Sequence, residues 1–194
     1  IYSSAYNSTA AITISGTVSG GSRAGIDVNQ AAAGGVTNIS LNSGANVSAT
    51  SGIAISDGIY NSGSGTYNYD TTANVTVNAG ATVTGAINLG DGTDSVTFNG
   101  GSIAGVTVID GGNGTDAVTF TNGSANVMSS QITNVENFTI GSGGTVNFDG
   151  ALTSNVTVQN GGILSAGSSP GLMTIAGDLG LDSGSTTLVE IGGL

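Results

Sequence analysis

The sequence repeats a short pattern, an apolar residue, a threonine and a second apolar residue, about every twenty residues. Six copies spaced in this way lie at residues 75–77, 96–98, 118–120, 138–140, 156–158 and 173–175. Successive threonines lie 21, 22, 20, 18 and 17 residues apart. Strand side chains alternate between two faces, so each triplet buries its apolar residues and exposes its threonine. A strand that returns at this period is typical of a solenoid. We therefore expect one outward column, formed by Thr76, Thr97, Thr119, Thr139, Thr157 and Thr174.

A longer motif of twelve residues surrounds several of these triplets. Its four clear copies are NISLNSGANVSA (38–49), NVTVNAGATVTG (74–85), NFTIGSGGTVNF (137–148) and NVTVQNGGILSA (155–166), and a looser copy begins at residue 178. The seventh position is always glycine, which suits a bend with positive φ. These glycines are Gly44, Gly80, Gly143, Gly161 and Gly184. Two or three short strands per repeat predict an all-β, right-handed parallel β-helix of about nine or ten coils.

The composition supports strands and excludes several functions. The chain has 35 glycines, one proline and only 7% charged residues, with 38% apolar residues, which argues against disorder. Its net charge is −11 and Arg23 is its only basic side chain, so nucleic acids and anionic membranes are excluded as partners. There is no cysteine, hence no disulfide framework. The chain does not open on a basic-then-apolar leader and Ile1 is not an initiator Met, so we expect it to be a piece of a longer protein.

Two aspartate-containing segments, LGDGTDSVTF (89–98) and GGNGTDAVTF (111–120), are offset by 22 residues. The second fits the nine-residue calcium pattern of RTX repeats, although each motif stands alone rather than in tandem. The offset places Asp94 beside Asp116, and Asp91 beside Asn113. Calcium prefers six to eight oxygen ligands, so Asp91, Asp94 and Asp116 are candidate calcium ligands, with Asp110 nearby. The alternative is a tight turn in which aspartates bond backbone amides. We expect folding to require no calcium or other cofactor.

Few residues of this chain could take part in catalysis. Without His, Cys or Lys, a Ser–His triad, a Cys–His pair and a Schiff-base lysine are impossible. Carboxylate acid–base chemistry, as in glycosidases, remains, but the aspartates lie in glycine-rich turns without aromatic neighbours to stack on a sugar. We predict no catalytic residue and no enzymatic activity.

All five tyrosines precede residue 70. Three of them, Tyr60, Tyr67 and Tyr69, lie in a polar, glycine- and serine-rich stretch, which is suited to a contact surface. The other interpretation is that these rings cover one face of the fold.

The C-terminal string GGILSAGSSPGLMTIAGDLGLDSGSTTLVEIGG (161–193) resembles the C-terminal passenger region of autotransporter adhesins. The matching residues include the Ser169-Pro170-Gly171 turn, the 173–175 strand, Gly177-Asp178-Leu179, and Gly184-Ser185-Thr186 before Leu188 and Glu190. The upstream NVTVxxGGxL repeats agree with that pattern across most of the chain.

The resemblance implies a β-helix on the outside of a Gram-negative bacterium, exported across the outer membrane and attached there to a β-barrel. Residues 1–160 would form the β-helix passenger segment, and residues 161–194 the coils that nucleate folding. The expected function is adhesion, self-association or service as a stalk. The partner would be a host-surface protein or glycan, or another copy of the chain. The alternatives are a calcium-binding β-roll-like module and a glycan-cleaving β-helix enzyme.

Overall fold

The computed structural model describes residues 1–3, 9–28, 34–57, 59–61, 66–68, 71–167 and 171–189. These residues form an all-β structure with one 3-10 helix, Ser129–Gln131. In chain order the strands are β1 (Tyr2–Ser3), β2 (Thr9–Ile14), β3 (Thr17–Gly20), β4 (Ile26–Val28), β5 (Val36–Leu41), β6 (Asn46–Asp57), β7 (Ile59–Asn61), β8 (Thr66–Asn68), β9 (Thr72–Asn78), β10 (Thr82–Asn88), β11 (Asp91–Gly92), β12 (Ser95–Asn99), β13 (Val106–Asp110), β14 (Asn113–Gly114), β15 (Ala117–Thr121), β16 (Gly123–Met128), β17 (Ile132–Thr133), β18 (Asn137–Ile140), β19 (Gly144–Leu152), β20 (Asn155–Val158), β21 (Ile163–Ala166), β22 (Met173–Ile175), β23 (Leu179–Leu181) and β24 (Thr186–Leu188). No helix in these ranges is long and apolar enough to span a lipid bilayer.

The strands assemble into three large sheets and two small ones. The largest sheet has eight strands in the order β2-β5-β9-β12-β15-β18-β20-β23. A seven-stranded sheet follows the order β1-β4-β6-β10-β13-β17, with β3 paired to β6, and a five-stranded sheet follows β16-β19-β21-β24, with β22 paired to β19. Pairing is parallel in all three, whereas β7 and β8 form an antiparallel pair. The prediction of an all-β chain with long parallel sheets is confirmed.

The eight-stranded sheet holds the threonine column in register. Thr76, Thr97, Thr119, Thr139 and Thr157 are successive partners, and Ser40 and Thr13 extend the column toward the N-terminus. These side chains are at least partly exposed, while the residues on either side of Thr76, Thr97, Thr119, Thr139 and Thr157 are buried. We call the seven residues Thr13, Ser40, Thr76, Thr97, Thr119, Thr139 and Thr157 the threonine column.

The expectation for Thr174 is wrong. Thr174 pairs with Ala151 of β19, and Gly180 of β23 occupies the next position after Thr157 in the column. Alternation of apolar and polar residues marks any half-buried strand, so the triplet cannot tell which sheet its strand will join. The chain forms β21 and β22 before it returns to the eight-stranded sheet.

The core consists of columns of apolar residues that flank the threonine column. One column includes Val75, Val96, Val118, Phe138 and Val156, all at most 1% exposed. Full burial of each such side chain contributes about 1.5–3 kcal/mol.

Aromatic rings stack within this core. Phe98 and Phe120 lie nearly parallel with centroids 5.0 Å apart, and Phe138 meets Phe148 edge-on at 5.8 Å. Both offset and edge-on geometries are favourable for aromatic pairs.

The bends between strands use the predicted glycines. Gly44, Gly80, Gly143, Gly161 and Gly184 all have φ between +71° and +85°, which confirms the expectation from the twelve-residue motif. This region of φ is open to glycine at little cost and strains other residues.

Candidate functional site

The two aspartate-containing segments stack directly on each other. Asp91 pairs with Asn113 and Gly92 with Gly114 in the two-stranded parallel sheet of β11 and β14. The stacking needs glycine, because a Cβ at Gly112 would collide with the carbonyl oxygen of Gly90. The predicted offset of 22 residues is confirmed here.

A cleft of about 290 Å³ opens beside these turns. Three carboxylates and three carboxamides line it, together with two glycines: Asp57, Asp91, Asp110, Asn88, Asn113, Asn134, Gly90 and Gly112. The Nδ2 of Asn113 donates to Oδ1 of Asp91 at 2.8 Å. Asn134 donates in the same way to Asp110, also at 2.8 Å. Oxygen-rich walls of this kind suit a hard cation or a hydroxylated ligand.

Asp57 is a part of this cleft that the sequence patterns did not indicate. It is 1% exposed and accepts a hydrogen bond from the Thr71 hydroxyl at 3.1 Å. Asp57 pairs with Val28 in β4 and therefore lies in register with a core residue. The sequence offers one signal for this role of Asp57: it is an acidic residue at a strand position where the neighbouring strand has an apolar residue.

Asp94, Asp116 and Glu136 form a second arrangement, a ladder of carboxylates that directly precede β12, β15 and β18. Oδ1 of Asp94 accepts the backbone N–H of Ala73 at 2.6 Å, and Oδ1 of Asp116 accepts that of Asp94 at 2.8 Å. Oε2 of Glu136 accepts the N–H of Asp116 at 2.8 Å. Each acid thus caps the start of the preceding strand with a charge-assisted hydrogen bond. We call these three residues the carboxylate ladder.

Glu136 was not among the predicted residues, although a signal for it exists. Each ladder acid stands two positions before an apolar-Thr-apolar triplet, as in Asp94-Ser95-Val96 and Glu136-Asn137-Phe138. The shared offset from the triplet therefore predicts that each acid stands at the same place, directly before its strand.

Burial changes the acidity of one member of the carboxylate ladder, Asp116. Asp116 is 1% exposed, and burial raises its pKa from 3.8 to about 6. The hydrogen bond from the Asp94 backbone lowers this pKa, while the negative charges of Glu136 and Asp110 raise it. Oδ2 of Asp116 has no hydrogen-bond partner among the described residues. A proton on this oxygen would relieve the repulsion between neighbouring acids.

The candidate calcium ligands therefore lie in two different places. Asp91 faces the cleft, while Asp94 and Asp116 use their carboxylates to bind backbone amides in the ladder. In the described ranges, no group of three or more Asp, Glu, His or Cys side chains is arranged to hold a metal ion.

The tyrosine-containing stretch forms the antiparallel pair of β7 and β8. Tyr60 and Tyr67 are direct partners in this pair. Tyr69 lies outside the described residues. An antiparallel hairpin inserted between β6 and β9 interrupts the parallel pattern, so the two tyrosines belong to a structural insertion.

A third surface is the outward face of the eight-stranded sheet from β5 to β20, which we call the threonine face. Beside the threonine column it carries asparagines, among them Asn38, Asn74, Asn78 and Asn99. Asn74 donates to Asn38 at 3.0 Å, and Asn99 donates to Asn78 at 2.9 Å. The repeated triplet predicts the threonines of this face, whereas the asparagine rows were not predicted.

Comparison of the chain with protein-family models, with curated proteins and with solved structures finds no match.

Proposed function

We propose that this chain is a non-catalytic segment of a bacterial surface adhesin or of its stalk, and that it mediates adhesion or self-association. In this proposal the parallel sheets are the faces of a right-handed parallel β-helix with about nine or ten coils. The protein would belong with the passenger domains of autotransporter adhesins, exported across the outer membrane to the cell surface. Residues 161–194 would form the part that nucleates folding.

The observation that carries the proposal is the eight-stranded parallel sheet, whose strands from β9 onward come from sequence repeats about twenty residues apart. Such a sheet presents the same polar side chains many times on one face, which suits binding over an extended surface. The chain also lacks His, Cys and Lys, so a Ser–His triad, a Cys–His pair and a Schiff-base lysine are impossible. The candidate partners are a host-surface protein, a glycan or a second copy of the chain.

Beads coated with the chain test this function. We expect them to attach to host cells or to clump with one another, while beads coated with an unrelated acidic protein do neither. If chain-coated beads behave like that control on all surfaces tested, the adhesin proposal is wrong.

Tyr60, Tyr67 and Tyr69 remain the predicted contact residues. A variant with all three changed to Ser should weaken bead attachment and leave the circular dichroism spectrum unchanged, because tyrosine gives large contact area at low entropic cost. The matched control changes Asp91, Asp94 and Asp116 to Asn and should reduce attachment less. Normal attachment by a folded tyrosine variant would place the contact surface elsewhere.

The cleft favours one alternative, a calcium-binding module, because carboxylate and carboxamide oxygens are suitable calcium ligands. We predict that folding does not need the ion, since the apolar columns already form a continuous core. Circular dichroism should show the same strand signal with and without chelator. Loss of structure in chelator, restored by calcium but not by magnesium, would favour the alternative. A glycan-cleaving enzyme, the third possibility, would release reducing ends from polysaccharides.

A further inference from the structure

The threonine column places one hydroxyl-bearing side chain on each strand of the threonine face, and Thr13 of the adjacent strand β2 continues it. From Thr13 to Thr157 there are six strand spacings. At about 4.8 Å per spacing the column is about 29 Å long. One spacing is close to the length of a single sugar unit, so an extended polysaccharide can meet one hydroxyl per unit.

The centre of the threonine face, which is the threonine column, differs in its hydrogen bonds from the flanks, which are the asparagine rows on either side. The flanking asparagines bond to side chains on adjacent strands, and Ser95 donates to Asn74 at 2.7 Å. By contrast, no side-chain hydrogen bond within the described ranges involves the hydroxyls of Thr76, Thr97, Thr119, Thr139 or Thr157. The flanks are therefore held in fixed geometry, and the central hydroxyls keep their donors and acceptors for an external partner.

The charge of the face and of the whole chain limits the classes of polymer that can bind there. The outward positions of β5, β9, β12, β15, β18 and β20 carry no Asp, Glu or Arg. The chain as a whole has a net charge of −11, which repels an acidic polymer and also opposes the approach of a second copy. A neutral, hydroxyl-rich polymer meets neither repulsion nor the cost of desolvating a charge.

We infer that the threonine face binds a neutral polysaccharide, which lies across the strands along the threonine column. This inference rests on the proposed adhesin function and specifies its partner as an uncharged glycan. The threonine hydroxyls donate to and accept from the sugar hydroxyls, while the bonded asparagines hold the flanking side chains in place. No residue of the threonine column lines the aspartate cleft.

Affinity electrophoresis in native gels tests the inference, because the charge of −11 drives the chain through a neutral matrix. The probes are soluble β-glucan, galactomannan and, as the acidic counterpart, polygalacturonate. We expect at least one neutral polysaccharide to retard the chain and polygalacturonate not to. Changing Thr97, Thr119 and Thr139 together to Val should weaken binding about tenfold or more, since three hydrogen bonds are removed at nearly constant shape.

Two further variants serve as controls. The same three positions changed to Ser keep their hydroxyls and should retain binding. A variant with Thr82, Thr84 and Thr107 changed to Val removes three exposed hydroxyls from the seven-stranded sheet and should bind like the wild type. Should the triple valine variant unfold, Thr119→Val alone carries the test, with an expected loss of about fivefold.

Three results would overturn the inference: no retardation by any neutral polysaccharide, equal retardation by polygalacturonate, or normal binding by the valine variant. Bead attachment without polysaccharide binding would refute the inference and leave the adhesin function standing. Self-association that the valine variant abolishes, again without polysaccharide binding, would assign the face to a second copy. Failure of both assays would refute the adhesin function itself.

Discussion

The middle of the eight-stranded sheet and its last strand have the same sequence pattern and very different burial. Val118 and Phe120 of β15 are 0% and 3% exposed. Leu179 and Leu181 of β23 occupy the corresponding columns and are 45% and 53% exposed. The alternation of apolar and polar residues decides which way a side chain points. How deeply it is buried depends on the strand that stacks next to it.

The difference in burial follows from the number of strands that pair with β15 and with β23. Strand β15 pairs with β12 on one side and β18 on the other. Strand β23 pairs with β20, and no other described strand pairs with it. In stacked architectures, stability is approximately a sum of local and nearest-neighbour terms. Within the described chain, β23 should therefore open more readily than β15, in contrast to the folding-nucleus role that the resemblance implies for 161–194.

The strongest test of this comparison places a charge at equivalent positions in the two strands. Val118→Asp should unfold the region around β15, because an unpaired buried carboxylate costs several kcal/mol. Leu179→Asp should lower the free energy of unfolding by about 1 kcal/mol or less, since that site stays in contact with water. Denaturant titration measures both.

Equal losses of stability for the two aspartate variants would contradict the comparison. They would mean that Leu179 is covered in solution, as the folding-nucleus interpretation requires. Hydrogen exchange of the β15 and β23 amides in the unmodified chain gives an independent measurement, with slower exchange expected in β15.

The two regions also differ, to a smaller extent, in how their stability depends on pH. In the middle, carboxylates accept the backbone N–H groups, whereas the N–H of Asp178 before β23 is accepted by Oδ1 of the neutral Asn155, at 3.0 Å. The pKa of Asp116 is raised from 3.8 to about 6 in the folded protein. Asp116 therefore binds its proton more tightly when folded, so its stabilising contribution is full below pH 3.8 and is lost as pH rises to about 6.

Asp116→Asn isolates this effect, because the amide oxygen can still accept the N–H of Asp94. Relative to the variant, the wild type should lose on the order of 2–3 kcal/mol of stability between pH 4 and pH 7. Comparing the two chains cancels the pH dependence of the carboxylates that do not interact with Asp116. A constant difference in unfolding free energy across this range would show that Asp116 titrates alike in both states.

Much of the fold could be predicted from the sequence because its signals are local. The threonine triplets predicted the register from Thr76 to Thr157, and the glycines at the seventh motif position predicted the bends at Gly44 and Gly80. Thr174 could not be placed, because the choice between two sheets depends on the path of the chain after β21. No local pattern carries that information.

The candidate site was less predictable than the fold. The offset between Asp94 and Asp116 was evident, but whether their oxygens face outward or toward backbone amides depends on side-chain direction within the stack. Asp57 lines the cleft although it lies far in sequence from the other two aspartates of the lining. Its partner on the neighbouring strand is a core valine. A short sequence motif cannot predict contacts between residues that lie so far apart in the chain.

The smallest expected effect concerns Gly180, where the threonine column ends in a residue without a side chain. A Cβ at Gly180 would lie 3.7 Å from Oγ1 of Thr157 and 3.8 Å from the Val156 carbonyl oxygen, both ordinary contacts. Because φ at Gly180 is not positive, a β-branched residue fits there without backbone strain.

Gly180→Thr should therefore raise the free energy of unfolding by about 0.5–1 kcal/mol, since it restores strand propensity and reduces the entropy of the unfolded chain. The reverse change in the middle, Thr119→Gly, should cost a similar amount or more because β15 has neighbours on both sides. Thr119→Ser, which keeps the hydroxyl, should cost less than Thr119→Gly. A Gly180→Thr variant that is less stable than the wild type would mean that β23 does not continue the column in solution. The two regions would then differ in structure as well as in burial.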